Sequence, residues 1–144
     1  MTASAWVSAE PIDLPALLAR VDDPTHGAVT SFVGQVRDHD PEARGRVVAL
    51  RYTCHPDAPA LIEQIVARTV AEHDPAGEAD VAAAHRVGDL DVGDLALVVA
   101  VGSAHRDLTF TLCRAVVEAI KHELPVWKQQ FEADGSHAWS GLGC

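Results

Sequence analysis

The stretch Lys121-His-Glu-Leu-Pro-Val-Trp-Lys128 sets the change from helix to strand in the last part of the chain. Pro125 cannot continue a helix, so the chain must turn there. Residues 126–131 alternate in character, which predicts a strand with Lys128 and Gln130 on one face. Lys121 at the helix end and Lys128 on the strand can then face one pocket, where we expect an anion to bind.

The segment before this turn predicts a helix over residues 108–123, because its apolar residues recur at intervals of four. Lys121 is one position away from this apolar stripe. We therefore expect its ammonium group to border the buried face and to look into a cleft rather than into bulk water. The residues of the stripe are Leu108, Leu112, Val116 and Ile120.

Two further segments place basic residues where a strand pattern ends. His105 and Arg106 follow the apolar run 95–101 and open the predicted helix, where backbone N–H groups and a guanidinium group suit phosphate. Arg37 likewise follows directly after a predicted strand, the one at residues 28–36. Lysines at a helix end are usually solvated surface residues. The two additional basic segments favour an anion site instead.

The remaining pattern predicts strands and helices in one domain spanning residues 1–144. Strands are predicted at 6–10, 28–36, 46–54, 80–87, 95–101 and 126–131, and further helices at 14–21, with Asp13 as N-cap, and at 59–73. We interpret 28–54 as a hairpin with a long tip. Residues 88–94 are interpreted as a connection in which Gly88 and Gly93 permit tight turns. This order predicts an α+β fold with a largely antiparallel sheet flanked by helices.

Composition excludes several classes of partner. The formal net charge of −10 argues against general nucleic-acid binding, which needs a basic surface. The chain is 48% hydrophobic, yet no apolar run approaches the roughly 18 residues of a membrane span. We therefore expect contact with neither nucleic acid nor membrane. The first residues show no export signal, so the expected location is cytoplasmic.

The spacing of cysteine and histidine residues indicates neither a disulfide framework nor a metal site. Cys54, Cys113 and Cys144 are odd in number and lack C-x-x-C spacing, and Cys113 is expected to be a core thiol. The eight histidines include no H-E-x-x-H motif and no pair four residues apart. We expect no metal and no bound cofactor.

Five strings of residues, in their order and spacing, resemble the family of large, catalytic subunits of molybdopterin synthase. They are F-x-G-x-V-R-D-H at 32–39, H-R-V-G-D-L-x-V-G-D at 85–94, S-A-H-R at 103–106, K-x-x-x-P-V-W-K at 121–128 and D-G-x-x-x-W at 134–139. The resemblance covers residues 5–139. It implies an α/β hammerhead fold and a homodimer that carries one small ubiquitin-like sulfur-carrier subunit at each end, which makes a heterotetramer.

The family's reaction converts cyclic pyranopterin monophosphate, a pterin phosphate, into molybdopterin during molybdenum cofactor biosynthesis. The sulfur of the new dithiolene comes from the thiocarboxylated Gly-Gly tail of the carrier. The resemblance implies that Lys121 lies beside the carrier's C-terminal carbonyl and that Lys128 is a second catalytic lysine. A lysine acts as a base or nucleophile only when deprotonated, and two ammonium groups held together each favour loss of the other's proton.

The same resemblance assigns the substrate-binding residues. Arg37, His105 and Arg106 would hold the phosphate and the pterin together with the two lysines. His105 and Arg106 would come from the neighbouring subunit of the dimer. Phe32 would form an apolar wall of the pocket.

One position departs from the family pattern. The family commonly has an acidic residue two positions after the second lysine, where this chain has Gln130. The part that such a carboxylate would play in orienting the lysine is therefore open. His85 begins the strongest string, and we interpret it as a framework residue outside the site. A non-catalytic assembly module that docks the carrier, or a protein that binds a phosphate ligand, stays an alternative.

Overall fold

A computed structural model of the chain describes residues 2–43 and 45–140, which contain three helices and eight strands. In chain order these elements are β1 (Ala3–Ser8), α1 (Leu14–Arg20), β2 (Ala28–Gln35), β3 (Val47–Cys54), α2 (Ala58–His73), β4 (Asp80–Arg86), β5 (Gly88–Asp91), β6 (Leu95–Ser103), α3 (Arg106–Glu123), β7 (Val126–Glu132) and β8 (His137–Ser140).

The strands form two four-stranded sheets, ordered β1-β4-β6-β2 and β5-β3-β7-β8. Every pairing is antiparallel except that of β1 with β4, which is parallel. The predicted α+β class with a largely antiparallel arrangement is therefore confirmed.

The two central strands of the first sheet, β4 and β6, are buried on both faces. Along β4 and β6, successive side chains point to opposite sides, as the pleat of a strand requires. Val81, Ala83, Val99 and Val101 pack with α2 and α3 in one apolar cluster. Ala82, Ala84, Val98 and Ala100 pack with α1 in another. Small alanines on the α1 side let that short helix lie close to the sheet.

The predicted hairpin of residues 28–54 is wrong. β2 pairs with β6 in the first sheet, whereas β3 pairs with β5 and β7 in the second. Both segments are strands, as their β-branched residues indicate. The loop between them crosses from one sheet to the other instead of turning back. This crossing places residues 36–40 at the seam where the two sheets meet.

The connection at 88–94 contains a strand of its own. β5 pairs with β3 in the register Leu50 to Leu90, and Leu90 is buried. Gly88 and Gly93 have φ values of 96° and 93°, which confirms that tight turns at these positions need glycine. Only four residues long, β5 is too short to show an alternation in the sequence.

The helix boundaries follow capping chemistry. The Asp13 side chain accepts a hydrogen bond from the Ala16 N–H at 3.2 Å, which confirms the predicted N-cap of α1.

β1 begins and ends earlier than predicted, because its parallel pairing with β4 runs from Ala3 to Ser8. No helix within 2–43 and 45–140 combines the length and apolar character that a bilayer crossing requires.

Candidate active site

A cavity of about 210 Å³ lies at the seam between the two sheets. The first sheet contributes residues of β2, β4 and β6 and the second contributes residues of β3 and β7, while the last turn of α3 also lines it. Leu50, Leu97, Ile120 and Val126 supply apolar wall. The polar lining residues are Gln35, Arg37, His39, Asp40, Tyr52, His85, Lys121, Lys128 and Gln130.

Lys121 and Lys128 are the only lysines in the sequence, and both line this cavity. Lys121 lies in the last turn of α3 directly after the buried Ile120, and its side chain is half-buried, as the apolar stripe predicts. Leu124 caps the helix, and β7 then returns the chain to bring Lys128 to the same wall. Lysine is ordinarily a solvated surface residue. Both lysines of this chain instead line one cavity.

Lys128 is paired with a carboxylate from the loop between β2 and β3. Its Nζ donates to Oδ2 of Asp40 at 3.1 Å, and the two side chains are only 13% and 12% exposed. The other oxygen, Oδ1, accepts the Glu42 N–H at 2.8 Å. Burial alone would raise the pKa of Asp40, but the Glu42 N–H and the Lys128 ammonium outweigh it, and the pKa lies below the ordinary 3.8. Asp40 is therefore ionised at neutral pH.

His85 lies in the cavity wall as a neutral ring. Its Nδ1 is 2.8 Å from the Arg86 carbonyl oxygen, and because a carbonyl only accepts, Nδ1 carries the proton. Burial lowers the pKa of His85 to about 4 against the opposing effect of this hydrogen bond, and the nearby Lys121 ammonium lowers it further. The ring packs edge-on against Tyr52, with centroids 5.1 Å apart.

The placement of His85 differs from the sequence interpretation, which kept it outside the site. A structural role does fit its neutral, edge-packed ring. The side chain nevertheless forms part of the wall near Lys121. The signal in the sequence is one ionisable residue at the end of the apolar run Val81-Ala-Ala-Ala. Tyr52 and Asp40 carry no comparable signal, because each reaches the cavity through contacts between distant segments.

Gln130 lies two residues after Lys128 on the same face of β7, and it is 2% exposed. Its Nε2 makes no hydrogen bond to any described residue, although the amide is near enough to Asp40 to help lower the pKa of that carboxyl. A buried amide N–H without a partner is costly. Since this one lines a cavity, a bound ligand can supply the missing acceptor.

The cavity is locally positive in an acidic chain. Arg37, Lys121 and Lys128 bring three basic side chains, and Asp40 is the one carboxylate among the lining residues. Arg37 and His39 lie on the exposed loop that follows β2. With a formal charge of −10 over the whole chain, this concentration of positive charge is local and suits an anionic ligand.

Three predicted site residues do not line the cavity of this chain. His105 and Arg106 are exposed at the start of α3, where the Ser103 and Thr109 hydroxyls both bond the His105 carbonyl at 2.9 Å. The N-cap residue, His105, makes no side-chain capping hydrogen bond to that helix start. Phe32 lies on a separate surface depression beside α3. Their roles stay predictions.

Within residues 2–43 and 45–140, no three His, Cys, Asp or Glu side chains come together as a metal site would require. Cys54 and Cys113 are free thiols, and Cys113 is buried. Burial raises the pKa of the Cys113 thiol, which makes it a core residue rather than a nucleophile, as predicted. Cys144 lies outside the described residues.

Residues 7–123 match the family model described as MoaE protein. The chain belongs to the MoaE family. Among MoaE relatives, the molybdopterin synthase catalytic subunit 1 of Mycobacterium tuberculosis is 36% identical over 132 residues, which cover 92% of this chain and 86% of the relative. The molybdopterin synthase catalytic subunit of a Nostoc species is 33% identical over 134 residues, or 92% of this chain and 79% of the relative.

Solved structures agree with membership of the MoaE family. Molybdopterin synthase from Staphylococcus aureus superposes with a TM-score of 0.81 at 26% identity, covering 94% of this chain and 96% of that one. Molybdopterin cofactor biosynthesis protein E from Burkholderia multivorans has a TM-score of 0.75 at 31% identity, covering 100% and 91%. A chain in the complex of subunits 1 and 2 of molybdopterin-converting factor from Helicobacter pylori has a TM-score of 0.71 at 20% identity, covering 94% and 89%, which shows the fold alone.

Proposed function

We propose that this chain is the catalytic subunit of a molybdopterin synthase, a sulfurtransferase that converts cyclic pyranopterin monophosphate into molybdopterin. The observation that carries the proposal is the cavity at the sheet seam, which gathers Arg37, Lys121 and Lys128 in a chain of net charge −10. The MoaE relatives named as catalytic subunits support the same activity.

Each cation has a distinct part. Arg37 lies on the exposed loop at the cavity and binds the substrate phosphate through its guanidinium fork. Lys121 acts at the carrier's thiocarboxylate and moves protons as sulfur is transferred. Lys128, fixed by Asp40, faces the same substrate from β7. A dithiolene needs two sulfur atoms, so two transfers occur. In each, a C–S bond to the pterin side chain forms as a C–O bond of that side chain breaks. Water then adds to the carrier's acyl carbon, the carrier's C–S bond breaks, the sulfur stays on the pterin, and the carrier ends as a carboxylate.

The site is completed by a second copy of this chain. The cavity of about 210 Å³ is below the roughly 300–1,000 Å³ of ordinary small-molecule sites, so a pterin phosphate would extend beyond it. His105 and Arg106 are exposed and outside this cavity, at a helix start that the His105 side chain does not cap. In a homodimer they would reach the neighbouring site and bind the part of the substrate that extends outward.

The sulfur donor is a separate small ubiquitin-like carrier with a Gly-Gly tail, so the working assembly is a heterotetramer. The Helicobacter pylori structure with this fold is a complex of two different subunits. Glycine residues suit a tail that enters a narrow cavity, because they carry no side chain. We place the reaction in the cytoplasm, where free thiols such as Cys54 and Cys113 persist.

The proposal is tested by mixing the purified protein with a thiocarboxylated carrier and cyclic pyranopterin monophosphate, and measuring the dithiolene product. The wild-type chain should turn over and Lys121→Ala should not, while its melting temperature stays close to that of wild type. Lys121→Arg should fail as well, since arginine remains protonated.

The matched control is Arg68→Ala. It removes an exposed cation on α2 that pairs with Glu123 at the end of α3. That variant should keep full activity. Absence of product with the wild-type chain and an active carrier, or normal turnover by Lys121→Ala, would reject the assignment.

A further inference from the structure

Asp40, Lys128 and Gln130 form a polar cluster on the cavity wall, which we call the Asp40 cluster. Asp40 Oδ2 accepts a hydrogen bond from the Lys128 ammonium at 3.1 Å, and Oδ1 accepts one from the Glu42 N–H at 2.8 Å. The buried Gln130 amide lies beside this pair with its Nε2 unpartnered among the described residues. All three side chains are almost removed from solvent.

A carboxylate at this place works against anion binding. It cancels one of the cations that line the cavity and repels a phosphate or thiocarboxylate group. Asp40 also brings no clear gain in the stability of the fold, because a nearly buried ion pair stabilises a protein about as much as an apolar pair of similar size. Asp40 therefore needs another explanation than charge or stability alone.

The cluster ties a loop to a strand across the sheet seam. Asp40 and Lys128 are 88 residues apart in sequence. The loop bearing Asp40 also bears Arg37, and it is held a second time where the Gly45 N–H donates to the Glu132 carboxylate at 2.5 Å. Because Lys128 and Glu132 are both on β7, the position of Arg37 depends on the strand that carries Lys128.

We propose that Asp40 is a positioning residue that holds the Lys128 ammonium in one orientation, with its remaining N–H groups directed to the substrate anion, and sets the loop of Arg37 at the matching distance. This role rests on the proposed function of the cavity. An ammonium group has three donors, and Asp40 occupies one. A lysine side chain otherwise samples many rotamers. Fixing it in advance removes an ordering cost from the reaction.

Gln130 completes the arrangement as a neutral neighbour. A carboxylate at position 130 would lie beside Asp40. Two carboxyl groups at such a short distance do not both ionise easily, because their negative charges repel each other. The neutral amide avoids this conflict and offers its N–H to the substrate. The Asp40 cluster thus contains one carboxylate, and this carboxylate can be moved from position 40 to position 130. Gln130 lies on the same strand face as Lys128, so glutamate there can replace Asp40 as the partner of the ammonium.

The test compares Asp40→Asn with the double variant Asp40→Asn/Gln130→Glu in the coupled dithiolene assay. Asparagine keeps an oxygen for the Glu42 N–H, loses the negative charge, and puts a neutral NH2 group in place of the oxygen that accepts from Lys128. We expect Asp40→Asn to lower kcat by about 10- to 100-fold, the usual worth of one hydrogen bond between charged groups, with a smaller rise in KM. The double variant should recover most of the rate. Unchanged kcat in Asp40→Asn, or no recovery in the double variant, would overturn the proposal.

A second readout needs no turnover. Because the chain has two lysines, limited acetylation with acetic anhydride followed by peptide mass analysis compares Lys128 directly with Lys121. Loss of the Asp40 carboxylate should increase labelling of Lys128 relative to Lys121, and the double variant should reverse the increase. An unchanged ratio would contradict the positioning role. If the wild-type chain gave no product, the proposed function would fail while this ratio still decided the role of Asp40.

Discussion

Replacing Lys128 by methionine should destabilise the fold, because it leaves the nearly buried Asp40 carboxylate without its counter-ion. Removing one partner of a fully buried pair costs about 3–5 kcal/mol. Here the Glu42 N–H remains, and Asp40 is 12% exposed, so we expect about 2–3 kcal/mol. For a chain of this size that lowers the melting temperature by roughly 8–12 °C.

The double variant Lys128→Met/Asp40→Asn separates this effect from loss of packing. With both charges absent, the stability should return to within about 1 kcal/mol of wild type, because a neutral pair avoids the desolvation cost. Urea titrations of the wild type, both single variants and the double variant give the coupling free energy. Activity should not return with stability, since Lys128 itself is missing.

The dependence on pH gives a further check of the same variant. The pKa of Asp40 lies below 3.8 in the folded wild type, so its contribution to stability is present above that pH and is lost as the pH falls through the folded value. A protonated Asp40 needs no counter-ion. The gap between wild type and Lys128→Met should therefore narrow on acidification. A coupling free energy below about 0.5 kcal/mol at pH 7, within the usual error of additivity, would refute the reasoning.

Three other outcomes are expected. Arg37→Ala should raise KM at least as much as it lowers kcat, whereas Lys121→Ala should act mainly on kcat; equal effects on kcat with unchanged KM would indicate one cooperative site. Mixing inactive Arg106→Ala with inactive Lys121→Ala should restore some activity once subunit exchange is confirmed by mass, and continued inactivity would show that each site lies within one chain. His85 has its pKa lowered to about 4, so its contribution to the free energy of unfolding, up to about 3 kcal/mol, is full above pH 6.5 and falls as the pH approaches 4. His85→Gln should flatten that part of the urea-derived stability profile, and an unchanged slope would contradict the assignment of a neutral ring.

The sequence predicts local features of this fold well and pairings poorly. The stripe that ends at Ile120, the cap at Asp13 and the turns at Gly88 and Gly93 depend on neighbouring residues alone, and all are confirmed. The partner of β2 is wrong in the prediction because alternation identifies a strand without saying which strand it joins. The seam between the two sheets could not be located from the sequence, because its position depends on which strands pair in each sheet.

The candidate site shows the same division. The helix end and the strand parity place Lys121 and Lys128 together, and the structure brings both to one cavity. Asp40 could not be predicted as the partner of Lys128, because a loop residue has no periodicity and the contact spans 88 residues. Tyr52 and His85 come from strands of different sheets, so their edge-on contact depends on how the sheets are docked.

The position of β7 has a consequence for how the protein is made. β3 lies between β5 and β7, and β7 is the last but one strand in the chain. During synthesis, one edge of β3 therefore stays unpaired until residues 126–132 have left the ribosome, and such an edge can pair with another chain. The first sheet is complete once β6 has emerged, so the nascent chain can hold a folded half for some time. The cavity would gain Lys128 only with this late strand, when Lys128 meets a loop made 88 residues earlier.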